Sequence, residues 1–189
     1  MTPEKEKRTS KFLSLILRHK PETVGLVLDD NGWIDVDLLL EKMNKAGKTI
    51  DRSALEQVVK NNSKQRFVFS ECGQRIRANQ GHSVEVELGY DSVKPPEFLF
   101  HGAATKDIAA IRENGLLKMG RHDVHLNAQA EPCIHVASRH GKPIVLTIKS
   151  GKMHDEGFKF FLTPNNVWLT NHVPARFIEF ENDNEQRTE

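Results

Sequence analysis

Ser10-Lys11-Phe12-Leu13-Ser14-Leu15-Ile16-Leu17-Arg18-His19-Lys20-Pro21-Glu22 reads as an apolar helix that stops on a cationic end. Phe12, Leu13, Ile16 and Leu17 recur at helical spacing, Thr9 or Ser10 can cap the start, and Pro21 forbids continuation. Arg18 and His19 therefore fall in the last turn. Cations there offset the negative end of the helix dipole, which stabilises by about 0.3–1 kcal/mol. Their further meaning depends on what else the chain carries.

Outward from that helix, residues 24–28 read as a short strand closed by the turn Asp29-Asp30-Asn31-Gly32, and Trp33-Ile34 as a second brief strand. Asp35 is placed to cap a helix from Val36 to Ala46 that Gly47 ends. A third helix follows, capped by Asp51 or Ser53, with Glu56 spaced to complete a capping box with Ser53. Residues 66–70 and 74–78 are β-prone around Glu71-Cys72-Gly73, a hairpin pattern, and residues 84–90 alternate like one more half-buried strand. Three helices and a hairpin predict a winged-helix lobe.

Lys94-Pro95-Pro96 marks the expected boundary, because consecutive prolines enter neither a helix interior nor a central ladder. Beyond it strands are expected at residues 98–101, 124–126, 144–148, 158–162, 167–170 and 177–180. Helices are expected at 106–114, closed by Gly115, and from Pro132 to about Arg139. This is an α+β pattern without the regular alternation of a doubly wound sheet. The expected organisation is a lobe over 1–93, a second over 97–181, and a flexible polar tail over 182–189.

The 189 residues suffice for a real core, and the formal net charge of +1 argues against a chain that coats nucleic acid nonspecifically. The charge is unevenly spread, however. Residues 5–20 hold Lys5, Lys7, Arg8, Lys11, Arg18 and Lys20 against Glu6 alone, and residues 60–77 hold Lys60, Lys64, Arg66, Arg75 and Arg77 against Glu71 alone. Two cysteines, Cys72 and Cys133, make no disulfide framework and no zinc set. With no apolar leader and no run long enough to cross a bilayer, the expectation is a soluble, cytoplasmic protein, and a monomer is the default.

A Gly-x-Gly-x-x-Gly turn and a phosphate loop ending in Gly-Lys-Ser/Thr are both missing, which disfavours a Rossmann dehydrogenase and a P-loop NTPase. His122 and His125 lack accompanying carboxylates or thiols, so no metal is expected. What remains is Arg18-His19, Arg66 and Arg121, each in an unusual local sequence. Guanidinium forks grip phosphate oxygens bidentately, and a histidine among them can shuttle a proton or add another donor. Convergent arginines suit a phosphoryl group.

In chain order stand Arg18-His19-Lys20-Pro21, Lys64-Gln65-Arg66-Phe67, Ile76-Arg77-Ala78-Asn79-Gln80-Gly81-His82-Ser83, Leu99-Phe100-His101-Gly102, Gly115-Leu116 with Arg121 and Val124-His125-Leu126, and Val167-Trp168-Leu169-Thr170. Together, over about Ser10 to Phe180, they closely resemble the RNA 2′-phosphotransferase family. The resemblance implies a winged-helix RNA lobe joined to an NAD-binding lobe of ADP-ribosyltransferase type, with the active site between them. It implies a substrate RNA bearing an internal 2′-phosphate, such as a tRNA splice junction, and NAD consumed as co-substrate through a 2′-phospho-ADP-ribosylated intermediate. The family's Arg-His-Arg-Arg tetrad carries over as Arg18, His19, Arg66 and Arg121.

By the same resemblance His101-Gly102 contacts the nicotinamide riboside, with the glycine admitting the nicotinamide amide, and His125 lies near the dinucleotide. Lys64 is implied at the RNA, and Gly81, His82 and Ser83 at the RNA or at the lobe interface. Asp123, Asn127 and Pro132 depart from the pattern, Asp123 placing a carboxylate beside Arg121. Two rival readings compete: an ADP-ribosyltransferase that stops after one step, with Glu179 as its glutamate, and a non-catalytic winged-helix nucleic-acid binder.

Overall fold

The computed structural model describes residues 1–180 and divides the chain into two compact units, Met1–Gly89 and from Tyr90 onward. Lys94-Pro95-Pro96 lies inside the second unit, where Ser150 Oγ donates to the Pro96 carbonyl at 2.7 Å. The expected tail, 182–189, falls outside the described residues.

The first unit opens with helix α1, Pro3–Arg18, which starts earlier than its apolar face suggests. Thr2 is the cap, its side chain accepting from Lys5 N at 3.3 Å, and Pro3 suits the first turn because its missing N–H has no intrahelical partner there. Thr9, expected as a cap, instead donates its hydroxyl to the Lys5 carbonyl within the helix. The strand expected at 24–28 is absent: Pro21–Val24 forms a 3₁₀ turn ended by Gly25 at φ 65°. Strand β1, Ile34–Asp35, leads directly into α2, Val36–Lys45, capped by Asp35 Oδ1 at 3.0 Å from Leu38 N.

Helix α3, Arg52–Lys60, is capped by Asp51, which accepts from Ala54 N at 2.7 Å. The Ser53–Glu56 capping box does not form, because Asp51 is the cap and Ser53 falls inside the helix; Glu56 accepts instead from Arg52 Nε at 3.0 Å. Strands β2, Phe67–Phe69, and β3, Arg75–Ala78, make the hairpin, and the sheet order is β1-β3-β2, antiparallel throughout. Ile76 pairs with both Ile34 and Phe69 and is fully buried with Leu13, Ile16, Leu17, Leu39, Met43 and Leu55. The alternating segment 84–90 runs as an irregular strap, with Glu87 N donating to the Asp30 carbonyl rather than to a sheet edge.

The second unit contains β4, Leu99–Ala104; α4, Ile108–Asn114; β5, Leu116–Leu117; β6, Val124–Leu126; α5, Glu131–Ala137; and β7, Pro143–Ile148. It continues with α6, Ser150–Asp155; β8, Phe161–Leu162; β9, Trp168–Thr170; β10, His172–Val173; and β11, Ile178–Glu179. Three small antiparallel sheets result, ordered β11-β7-β4, β6-β9-β8 and β10-β5. Phe100 and Asn127 exchange backbone bonds of 2.7 and 2.9 Å, which ties β4 to the end of β6.

Around that tie Leu99, Leu126, Leu146, Ile148 and Phe160 are fully buried. Helix α6 and the β5–β10 pair carry no sequence expectation: both are too short for periodicity to show. The molecule is mixed α and β, and no described helix is long and apolar enough to cross a membrane.

Candidate functional site

In the first unit the end of α1 is satisfied by the loop after β3. The Arg18 carbonyl, an orphan at a helix C-terminus, accepts from Ser83 N at 2.8 Å and Val84 N at 3.3 Å. That same loop brings Ser83 Oγ to 3.0 Å from His19 Nδ1. Gly81 makes the turn possible. Its φ is 84°, in left-handed space, and a β-carbon there would stand 3.4 Å from an Arg18 guanidinium nitrogen.

Arg66 reaches the same place from the start of β2. Its carbonyl accepts from Arg18 Nη2 at 3.4 Å and from Asn79 N at 2.9 Å. The preceding residue, Gln65, holds φ 43°, a conformation costly for a residue with a β-carbon. Two contacts over-determine it: Asn79 Nδ2 donates to the Gln65 carbonyl at 2.6 Å, and Gln65 N donates to the Asn62 carbonyl at 2.7 Å. Asn62 Oδ1 also accepts from Arg66 Nη1 at 3.3 Å, and Asn62 Nδ2 donates to Ser10 Oγ at 2.8 Å.

Arg18, His19, Arg66, Gly81 and Ser83 thus form one cluster. Arg18 and Arg66 are half-buried, while His19 and Ser83 are exposed. Lys64 is exposed on the turn before β2, and His82 differs from its neighbours, with 2% of its surface exposed. Asn62 and Asn79, 8% and 2% exposed, were not singled out from the sequence. The signal for Asn79 was its place between the end of a strand and Gly81, where a short amide side chain can hold a neighbouring backbone.

The second unit brings together His101, Gly102, Arg121 and His125. His101 lies on β4 with Nδ1 2.9 Å from the His125 carbonyl. Burial pushes its pKa below the usual histidine value, the bond to the His125 carbonyl opposes this, and the positive Arg121 adds to the depression. The ring is therefore favoured in its neutral form. Because a carbonyl only accepts, Nδ1 carries the proton and Nε2 keeps its lone pair. His125 holds His101 through its backbone, from β6.

A cavity of about 440 Å³ opens beside His101 and Gly102, lined further by Ala110, Asn114, Leu117 and Met119. Leu117 and Met119 are 51% and 83% exposed, which places apolar surface at its edge. Arg121 follows two residues later, its N–H donating to the Lys118 carbonyl at 3.1 Å. Gly102 is required by packing: a β-carbon on it would stand 2.8 Å from the Cys133 carbonyl carbon and 3.2 Å from Ala137 Cβ, both on α5.

Burial raises the pKa of the Asp123 carboxyl, opposed by the positive charges of His122 and Lys118. Among the described residues Asp123 makes no ion pair with Arg121. Glu179, the glutamate of the one-step reading, is exposed on β11 with Lys149 Nζ at 3.4 Å. No group of three or more His, Cys, Asp or Glu suited to a metal ion occurs among the described residues.

Guanidinium forks grip phosphate oxygens bidentately, so two arginine-bearing clusters, one with a histidine at a helix end and one with a neutral histidine beside a cavity, have the chemistry that suits a phosphoryl group. Residues 4–172 match the family described as RNA 2′-phosphotransferase, Tpt1/KptA family. The chain is 50% identical over 175 residues to the "Probable RNA 2′-phosphotransferase" of Flavobacterium johnsoniae, covering 93% of this chain and 96% of the relative. Proteins of the same description from Fusobacterium nucleatum and Agrobacterium fabrum are 48% and 49% identical, covering 92% and 93% of this chain and 97% and 94% of the relatives. The chain belongs to the RNA 2′-phosphotransferase family, a family of transferases.

Proposed function

We propose that the chain removes an internal 2′-monophosphate from RNA with NAD as the acceptor. The observation that carries the reading is the joining of Arg18, His19 and Arg66 in one polar cluster around the Gly81–Ser83 turn. The first unit is read as a winged-helix RNA lobe and the second as an ADP-ribosyltransferase-like NAD lobe, with Arg121 completing the catalytic set. In the first step a 2′-phosphate oxygen attacks the anomeric carbon of the nicotinamide ribose. The bond to nicotinamide breaks, and nicotinamide leaves with the electron pair.

In the second step the adjacent ribose hydroxyl attacks the phosphorus, losing its proton. The RNA 2′-oxygen leaves and is protonated, which releases 2′-hydroxyl RNA and ADP-ribose 1″,2″-cyclic phosphate. Guanidiniums position the dianion and offset charge on the crowded transition state. His19, exposed and paired to Ser83, is assigned to the phosphate or to the proton transfer of this step. The 440 Å³ cavity beside His101 is assigned to part of the dinucleotide, with the Nε2 lone pair of His101 accepting from a ribose hydroxyl. Because α5 already accounts for the glycine at position 102, the glycine is assigned to packing first.

The test is incubation of purified protein with NAD and a short RNA bearing one internal 2′-phosphate, followed by mass analysis of both products. RNA lighter by one phosphate, together with the cyclic phosphate product, supports the reading. RNA heavier by ADP-ribose supports the one-step reaction instead. Unchanged RNA with unconsumed NAD overturns it.

A further inference from the structure

A second basic site lies along the same helix that ends in Arg18. A groove of about 470 Å³ runs between α1 and the α2–α3 loop, and Lys5, Arg8, Lys11 and Lys48 line it without a carboxylate. All four side chains are exposed, and none makes an ion pair among the described residues. Lys48 Nζ stands 5.4 Å from the centre of the Phe12 ring, so the aromatic forms part of the wall. Of the two acids that flank Lys5, Glu6 accepts from Asn61 Nδ2 at 3.3 Å, and Glu4 lies outside the groove lining and makes no ion pair among the described residues. Four cations held together without counter-charge repel one another, which is a standing cost unless an anion joins them.

Arg8, Phe12, Leu15 and His19 follow at intervals of three or four residues and so share one face of the helix. The groove is therefore in line with the proposed phosphate cluster. Arg8 and Arg18 are ten residues apart, or about 15 Å at 1.5 Å per residue. At a rise of about 3.4 Å per nucleotide that separation spans roughly four nucleotides.

We infer that this groove binds the phosphodiester backbone of the substrate RNA about four nucleotides away from the 2′-phosphate, which makes α1 a track leading to the reacting group. The inference rests on the proposed action on RNA. Contacts of this kind fix register without reading bases, and in single-stranded sites they combine a basic groove with an aromatic wall. RNA too short to reach the groove gains nothing from it.

The test uses the variant K5Q/R8Q/K11Q/K48Q and a charge control, K7Q/K60Q, whose cations lie outside the groove lining. Binding of a fluorescent twelve-nucleotide RNA with a central 2′-phosphate is measured between 50 and 200 mM salt, and kcat/KM is measured on that RNA and on a 2′-phosphorylated dinucleotide. Losing four single-strand phosphate contacts lowers the slope of log Kd against log salt by roughly 2 to 3. The expected result is that loss, a raised KM for the twelve-mer with kcat retained, and unchanged kcat/KM on the dinucleotide.

An unchanged salt slope, or an equal loss in the charge control, overturns the inference. So does an equal loss on the dinucleotide, which would mean that the substitutions act through the site itself. If the wild type removes no phosphate from either RNA, the functional reading fails, while the binding measurements still decide the groove.

Discussion

Replacing Gly102 with alanine separates two reasons for a glycine at that position. A β-carbon there would lie 2.8 Å from the Cys133 carbonyl carbon and 3.2 Å from Ala137 Cβ. Carbon–carbon contacts are optimal at about 3.5–4.0 Å, so α5 must retreat from β4 by roughly an ångström. β4 is the strand whose six residues pair along β7, and α5 covers both, so the retreat opens packing on each. Overpacking of this kind costs about 1–3 kcal/mol. For a unit of this size that corresponds to roughly 4–20 °C in Tm.

The assay exploits the two tryptophans, Trp33 in the first unit and Trp168 in the second. In a Trp33→Phe background, Trp168 fluorescence reports unfolding of the second unit alone. Gly102→Ala should lower its midpoint by the amount above. An unchanged midpoint with a raised KM for NAD would refute the packing argument and return the glycine to the proposed dinucleotide site.

Four further outcomes follow from the two clusters. Asn79→Ala removes the amide that holds Gln65, an exposed residue, at φ 43° through its carbonyl, so the first unit should lose about 0.5–1.5 kcal/mol. Unfolding followed by Trp33 in a Trp168→Phe background checks this, and an unchanged midpoint contradicts it. Ser83→Ala takes the partner from His19 Nδ1, worth about 0.5–1.5 kcal/mol, so kcat should fall roughly two- to tenfold at constant KM for NAD. Steady-state kinetics with kcat unchanged would remove Ser83 from the proposed positioning of His19.

Arg121→Ala alters an exposed side chain, so stability should hold within about 0.5 kcal/mol while turnover falls on the order of 10²–10³-fold with RNA affinity retained. Anisotropy showing lost RNA affinity instead would favour the binding-module reading. His101 titrates lower when folded than when unfolded, so its contribution is present above about pH 6.5 and is lost as pH falls toward its folded value. Urea midpoints of the second unit at pH 7.5 and 5.5 should differ, and His101→Asn should flatten that difference. An equal fall in the variant would assign the pH dependence to another group.

Local chemistry alone determined much of the first unit. The Asp35 cap, the stop at Pro21, the hairpin around Gly73 and the apolar faces of α1 and α2 are encoded within a turn or two of the residues concerned, so they could be read directly. Where two local signals competed the reading slipped. Thr2 outcompeted Thr9 and Ser10 because Pro3 extends α1 upstream of its apolar face, and Asp51 outcompeted Ser53 as the cap of α3, which left Glu56 without its capping-box partner. The run 24–28 looks like a strand by composition and 84–90 by alternation, yet neither pairs with the β1-β3-β2 sheet: Gly25 at φ 65° closes a 3₁₀ turn in the first, and Glu87 N donates to the Asp30 carbonyl in the second.

The arginines and histidines were visible in the sequence as residue types, and the family could be recognised from six motifs in order. Which residues hold them in place was not. Asn62 and Asn79 act on Arg66 and Gln65 across a turn and a hairpin, and the His125 carbonyl sets the tautomer of His101 across 24 residues of chain. Gly102 answers to α5, thirty residues away. Such contacts depend on distances that only the folded backbone defines, so no spacing rule along the chain announces them.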